Sequence, residues 1–387
     1  MKLSRVMPLF DPLKWLLAGA LGLALVACGG GGGDGGGGSD RQATQLGASL
    51  SGDQEVPPVI TGAVGTGTLS IDTSNSIHGS IVLDGITATA AHIHPGEVGV
   101  NGPIIVPLVE TAPGTWSVPA GAALTDSQAA ALRAGGLYFN AHSTTHPNGE
   151  IRGQIGRDVF NVQMSPAQEV PPPASAATGS GQLILDPASR KFTARITVSG
   201  MTATAAHIHT GAAGVNGPII FPFTQTAAGS GVWVAARDAM MTEAQLATLR
   251  AGGLYFNAHS AAFPNGEIRG QIDRNVGFAR LVAAEEVPPT SSFATGSGTL
   301  VIDPATRAAS GSITLSGLVA NAAHIHLGAA GVNGPIIVPL TNAGNTWTVP
   351  ANTRLTAEQF AAYKQGNLYY NAHSTAFPNG EIRGQIR

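Results

Sequence analysis

One phrase, Ala-Ala-His-Ile-His, occurs three times, at 90–94, 205–209 and 322–326. Each copy is followed later in the chain by Asn-Ala-His-Ser, at 140–143, 257–260 and 371–374. Other phrases recur in step with these, so the whole stretch from residue 43 onward reads as one unit written three times. Each unit is roughly 115 residues long, the size of a single domain. The boundaries fall at 43–157, 158–274 and 275–387. Whatever fold is adopted must therefore fit one such unit and tolerate a second copy immediately after it.

The residues within a unit favour strands. Charged residues make up 11% of the chain and aromatics 5%, whereas it contains 52 glycines and 25 prolines. With abundant Thr, Val and Ile, that balance predicts β-strands joined by tight turns rather than helical bundles. The segment Phe192-Thr193-Ala194-Arg195-Ile196-Thr197-Val198 alternates with period two, the mark of a strand with one buried and one wet face. Pro-Asn-Gly ahead of Gly-Glu-Ile-Arg-Gly-Gln-Ile (149–155, 266–272, 380–386) predicts a closing hairpin. One helix per unit is expected. Thr125 with Gln128 fits a capping box and Gly135 a helix stop, and Thr242 with Gln245 and Thr356 with Gln359 repeat the box. Trp116, Trp233 and Trp347 are expected to fill the cores. The sum is an all-β chain of three tandem immunoglobulin-like or Greek-key β-sandwich domains, each with one short helix. With almost no linker residues between units, they are expected to lie as beads along a string.

The N-terminus reads as an export signal. Lys2, Arg5 and Lys14 precede an apolar run from Trp15 to Ala27 that is too short to span a membrane comfortably. It ends in Leu25-Val26-Ala27-Cys28, which resembles the bacterial lipobox. Residues 1–28 are thus expected to be a lipoprotein signal, with Cys28 the lipidated residue and membrane anchor. Gly29 in place of aspartate favours the outer membrane, with the folded part facing the periplasm or the cell surface. The glycine-rich stretch 29–42 cannot bury apolar surface and reads as a flexible tether. Cys28 is the only cysteine, so no disulfide is available to the domains. Setting aside Lys2, Arg5, Lys14 and Asp11 leaves 17 basic and 22 acidic residues with no basic run, which argues against a nucleic-acid partner.

Taken together, Ala-Ala-His-Ile-His, Gly-Val-Asn-Gly-Pro (99–103, 214–218, 331–335), Leu-Tyr-Phe-Asn-Ala-His-Ser and Gly-Glu-Ile-Arg-Gly-Gln-Ile resemble the CHRD domain, a module named from chordin and frequent in bacterial exported proteins. The resemblance spans residues 43–387 three times over and implies an all-β, immunoglobulin-like extracellular module. It implies little about biochemistry. His-x-His in a β-barrel is also similar to copper–zinc superoxide dismutase, although the long metal-binding loop of that enzyme is absent here.

Side chains alternate across a strand, so the two histidines of His-Ile-His share a face. In Leu137-Tyr138-Phe139-Asn140-Ala141-His142 the same alternation puts Tyr138, Asn140 and His142 on one face. If the two strands adjoin, three imidazoles converge. The candidate metal ligands are His92, His94 and His142; His207, His209 and His259; and His324, His326 and His373. An all-nitrogen set suits Cu(II) or Zn(II), with Ni(II) a further option, and copper is the first expectation. Asn140 or Glu150 is a candidate to orient a ligand ring. Histidines between strands also serve as hydrogen-bonding pins to backbone carbonyls, and that reading stays open. His146, with Phe263 and Phe377 at the equivalent positions, shows that the copies differ at unconstrained sites, whereas all nine triad positions are histidine.

Glu-Ile-Arg places Glu150 and Arg152, Glu267 and Arg269, and Glu381 and Arg383 on shared faces. Arginine there is expected to pair with these carboxylates or with Glu55, Glu169 and Glu286 of Glu-Val-Pro-Pro, tying a unit's first and last segments. The glycine-rich loop at Gly211–Gly217 lacks the lysine and helix of a phosphate loop and reads as turn chemistry alone. No catalytic triad, nucleophilic cysteine or cofactor fingerprint is present, so an enzyme is not expected, redox catalysis at an exposed copper being the least supported reading. Two functions stand: an envelope lipoprotein that captures or buffers a transition metal, and an array that binds other surface proteins with structural histidines.

Overall fold

The computed structural model describes residues 43–387. The leader with Cys28 and the tether at 29–42 lie outside the described residues. In the first domain the strands are β1 (Thr44–Ser51), β2 (Val64–Ile71), β3 (Ile77–Asp84), β4 (Ala88–Pro95), β5 (Val106–Pro107), β6 (Val109–Ala112), β7 (Thr115–Ser117), β8 (Leu137–Ser143) and β9 (Ile151–Gln154), with helix α1 (Asp126–Ala134) ahead of β8.

All pairings are antiparallel, and the order is β5-β4-β8-β9-β1-β2-β3-β7-β6. The ends of this list are two halves of one broken strand: β5 pairs with β4 and β6 with β7. The ring is closed between β9 and β1 by Ser51 opposite Arg152. In the second domain the equivalent strand, Ile219–Gln225, is continuous and pairs on both sides. Consecutive strands β3 and β4 are not neighbours, so the chain crosses from one half of the ring to the other; the broken strand β5/β6 brings it back to β7 beside β3, and α1 leads it across again to β8 beside β4. Each domain is thus an all-β sandwich, nearly barrel-like, with few open edges for intermolecular pairing.

The alternation expected for Phe192–Val198 is met residue by residue in the strand Phe192–Ser199. Leu69, Ile77, Ile81, Ile93, Phe139 and Ile151 form the first core and are fully buried, with Trp116 beside them. The other two domains have equivalent, separate cores containing Trp233 and Trp347. Each such aliphatic or aromatic side chain contributes ~1.5–3 kcal/mol by leaving water. The capping boxes form at Thr125, Thr242 and Thr356, and Gly135 ends α1 in the left-handed region at φ 81°. A strand preceding Glu-Val-Pro-Pro in each unit (Thr44–Ser51, Asp158–Met164, Asn275–Val282) is an addition to the sequence reading.

The domains are not beads on a string. With no linker residues to spare, junction side chains lie within reach of the next unit. Arg157 approaches Asp186 at 3.7 Å and Arg274 approaches Asp303 at 3.5 Å. The third domain then returns to the first. Lys364 binds Asp53 at 2.9 Å, and Arg307, only 3% exposed, binds Asp84 at 2.7 Å and the carbonyl of Gly62 at 3.0 Å.

Candidate metal centre

Strand register decides what meets in each domain. Along β4 and β8, His94 lies opposite Tyr138, His92 opposite Asn140 and Ala90 opposite His142. On β9, Arg152 stands opposite Asn140 and Gln154 opposite Tyr138. Ala91, Ile93, Phe139, Ala141 and Ile151, on the other face, are core. Three strands therefore present a polar outer face, and two loops roof it. One is the glycine-rich loop before β5, and the other is the Glu-Val-Pro-Pro segment after β1. Asn101 of the first loop donates to the Val56 carbonyl of the second at 2.9 Å.

The three histidines of each triad do converge, and each offers a nitrogen within 4.8 Å of the others. His92 Nδ1 lies 3.0 Å from His142 Nε2, and the equivalent distances are 3.2 Å in both other domains. A tetrahedral ion with bonds of ~2.0–2.1 Å holds its ligand atoms about 3.3 Å apart, so this pair needs little adjustment to chelate.

The other nitrogens are already assigned. His94 Nδ1 donates to the Gly102 carbonyl at 2.9 Å and His142 Nδ1 to the Pro147 carbonyl at 3.1 Å. The same bonds recur from His209 to Gly217, His259 to Pro264, His326 to Gly334 and His373 to Pro378. Those bonds fix the tautomer, leaving both Nε2 atoms unprotonated and facing the centre. His94 Nε2, His209 Nε2 and His326 Nε2 are buried with no hydrogen-bond partner. Pinning to carbonyls and metal ligation are thus not rivals: at His94 one nitrogen does the first and leaves the other free for the second, while His142 turns its second nitrogen to His92.

Burial lowers the pKa of every triad histidine. His92, His207 and His324 are brought down to about 4 by desolvation and then by the neighbouring imidazoles. The rings are accordingly neutral at pH 7, the form a metal requires.

Each buried imidazole stacks on a tyrosine. His94 and Tyr138 are nearly parallel, and the Arg152 guanidinium lies 3.5 Å from the Tyr138 ring centroid. Columns of His209, Tyr255 and Arg269, and of His326, Tyr369 and Arg383, match it. The tyrosine hydroxyl accepts the Gly102 N–H at 3.0 Å, so one glycine receives both the histidine and the tyrosine.

The expected ion pairs do not form. Arg152 donates instead to the carbonyls of Glu97 at 2.7 Å and Val100 at 3.0 Å, and to Gln154. Arg269 and Arg383 likewise hold the carbonyls of Ala212 and Ala329. A guanidinium on this face meets a loop whose carbonyls point inward, and they reach it before any carboxylate does. Glu150 accepts from Thr61 and Ser143. Glu267 accepts from Ser175 and Glu381 from Ser292. Glu55, Glu169 and Glu286 accept from Asn140, Asn257 and Asn371. Burial raises those last three carboxyls to about 7, against the opposing pull of the asparagine and the nearby arginine. The tie between a unit's first and last segments therefore exists, but through Thr61 to Glu150 and the Gln154 N–H to Gln54, while Glu55 holds Asn140 on the strand before the last. Neither Asn140 nor Glu150 orients a triad ring: backbone carbonyls hold His94 and His142, and His142 holds His92.

The glycine-rich loop is likewise more than a turn. It supplies the carbonyls that fix His94 and Arg152. Tyr138 and Gly102 are site residues that the sequence reading does not single out, and Arg152, read there as an ion-pair partner, belongs to the histidine column instead, although the phrases containing all three recur in every copy.

The family model described as the CHRD domain matches residues 46–155, 160–272 and 278–386. No curated protein and no solved structure matches the chain.

Proposed function

The chain belongs to the CHRD domain family, and from that premise and the geometry of its triads we propose a membrane-anchored envelope lipoprotein that binds one transition-metal ion per domain. Copper is the first candidate and zinc the second. The supporting observation is the buried, unpartnered Nε2 of His94, repeated at His209 and His326 and lying within reach of the hydrogen-bonded His92–His142 pair and its equivalents. A buried polar atom without a partner costs about 1–3 kcal/mol, and a cation there would offset that cost three times over. Neutral nitrogens without thiolate or carboxylate suit Cu or Zn. The proposed role is capture or buffering, with redox turnover at a bound copper the least supported alternative. Anchoring through Cys28 would hold the sites outside the cytoplasm, with the outer membrane favoured.

Calorimetric titration of the purified chain with Cu(II) and then Zn(II) tests this. Saturation near three ions, abolished by joint substitution His94→Ala, His209→Ala and His326→Ala, is expected. A flat titration of a folded chain would refute it.

A second reading, an array that binds surface proteins, draws on one observation. Val100 and Ile104, Val215 and Ile219, and Val332 and Ile336 are all about half exposed on the loop roofing each triad. Repeated apolar side chains on three linked domains suit a multivalent contact.

A further inference from the structure

The three triads are nearly superimposable in their bonding, yet their roofs are not held alike. The roof segment of the first site runs from Asp53 to Gly62. It carries Glu55, bonded to Asn140 beside His92, and Val56, bonded to Asn101 of the loop that fixes His94. The third domain grips both ends of it. Lys364 Nζ meets the two oxygens of Asp53 at 3.1 and 2.9 Å, and Arg307 Nη1 donates to the Gly62 carbonyl at 3.0 Å. Arg307 also binds Asp84, which lies just before Gly85, and Arg354 binds the same carboxylate. Ala357 approaches Gly62 so closely that a Cβ there would lie 1.8 Å from its carbonyl oxygen.

These features belong to one copy only. Where the first domain has Asp53, Gly62 and Asp84, the second has Ala167, Ala176 and Ser199, and the third has Ala284, Phe293 and Ser316. All six of those residues are exposed, and Phe293 is completely so. On the gripping side only Arg354 is particular to the third copy, its counterparts being Ala123 and Met240; Arg307 has Asn75 in the first copy and Arg190 in the second, and Lys364 has Arg133 and Arg250. The gripped side has thus diverged at all three positions, and the gripping side at Arg354.

We infer that this clasp makes the first histidine site retentive and leaves the second and third exchangeable, so that one chain holds one ion firmly and passes two. The inference rests on the metal reading above and adds the inequality of the sites. A bound ion leaves only when its imidazoles swing outward, and that requires local opening of the roof. The free energy of such opening sets how fast a site empties, and segments tied at both ends open least. Affinity differences between like sites reside mostly in the dissociation rate.

The chain is loaded with Zn(II), and release to excess chelator is followed by stopped flow. Two equivalents are expected to leave together and the third about tenfold more slowly. The joint variant Asp53→Ala, Gly62→Ala, Asp84→Ser carries residues that the second copy already accommodates, so its fold is retained. It is expected to release all three at the fast rate. Hydrogen exchange of the metal-free chain gives a readout independent of any ion. Residues 53–62 are expected to exchange more slowly than 167–176 and 284–293, and to match them in the variant. A single release rate from the wild-type chain, or a slow ion surviving in the variant, overturns the clasp's role and leaves the metal reading intact. A chain that binds no ion overturns both, even if the exchange difference shows the clasp itself to be present.

Discussion

The rings of His94 and Tyr138 lie face to face, 5.0 Å between centroids and 9° from parallel, with both residues bonded to Gly102. A ligand ring held on its face by stacking and on its edge by a carbonyl has lost its torsional freedom before any ion arrives. Such prior ordering raises affinity because the cost of fixing the ligand is not incurred on binding.

Tyr138→Leu keeps apolar bulk but removes the stack and the acceptor for the Gly102 N–H. Loss of a group that orients a ligand typically weakens a metal site about 10–100-fold, and the freed N–H should destabilise the domain by about 1–3 kcal/mol. Calorimetry should show one of three sites weakened by that factor. Three equal sites in this variant would rule out a positioning role for the tyrosine.

The metal-free chain should show two opposed pH dependences. His92, His207 and His324 have folded pKa values of about 4, below an ordinary 6.5. Their contribution is complete above 6.5 and is lost as pH falls toward 4, because only the unfolded chain takes up the proton. Glu55, Glu169 and Glu286 are raised from 4.5 to about 7. Their contribution is complete below 4.5 and is lost as pH rises through 7. Between 4.5 and 6.5 the slopes largely cancel. Replacing the three glutamates by glutamine should unmask a stability that rises with pH over that interval, by roughly 1 kcal/mol per pH unit for each histidine. Urea midpoints at pH 4.5, 5.5 and 6.5 measure it, and a flat profile in the variant would contradict the histidine values.

Gly149 sits at φ 129°, and a Cβ on it would lie 2.8 Å from both Glu55 Oε1 and Asn140 Oδ1. Gly121 has φ 79° with nothing within 4 Å. Gly121→Ala should therefore cost only the backbone term of about 1–2 kcal/mol. Gly149→Ala adds crowding of a buried carboxylate and should cost roughly 3 kcal/mol or more. Equal losses in denaturant unfolding would mean that the Glu55 side chain can move aside freely.

Much of this architecture is visible in the residues themselves. Alternation gives the strands, Thr-x-x-Gln gives the helix starts, and His-x-His plus a distant histidine gives the triad, because each depends on local spacing. What spacing does not carry is which partner a long side chain chooses. Arg152 was expected to find Glu55 or Glu150, and nothing in Glu-Ile-Arg reveals that a loop fifty residues away turns its carbonyls toward the guanidinium. The return of the third domain onto the first is equally non-local. It shows in sequence only as departures from the repeat at Asp53, Gly62 and Asp84, which become meaningful once Arg307 and Lys364 are seen beside them.

Arg152 offers the sharpest test of how the roof is held. It is 1% exposed, and its guanidinium spans the Glu97 and Val100 carbonyls while covering the Tyr138 ring. A carboxylate partner would make its worth depend on charge, so Arg152→Lys would be nearly neutral. With carbonyl partners and a ring face, what counts is the planar fork, which a lysine ammonium cannot reproduce. Arg152→Lys should thus lose about 2–4 kcal/mol, since hydrogen bonds from a charged donor contribute ~1.5–3 kcal/mol each. The loss should be confined to the first domain, whose core is separate from the other two. Because the loop it releases also carries Gly102, the first metal site should weaken in parallel while the second and third keep their affinity. Urea unfolding combined with calorimetry on this single variant reads both effects. Full stability in the lysine variant would mean that Arg152 acts as a charge after all.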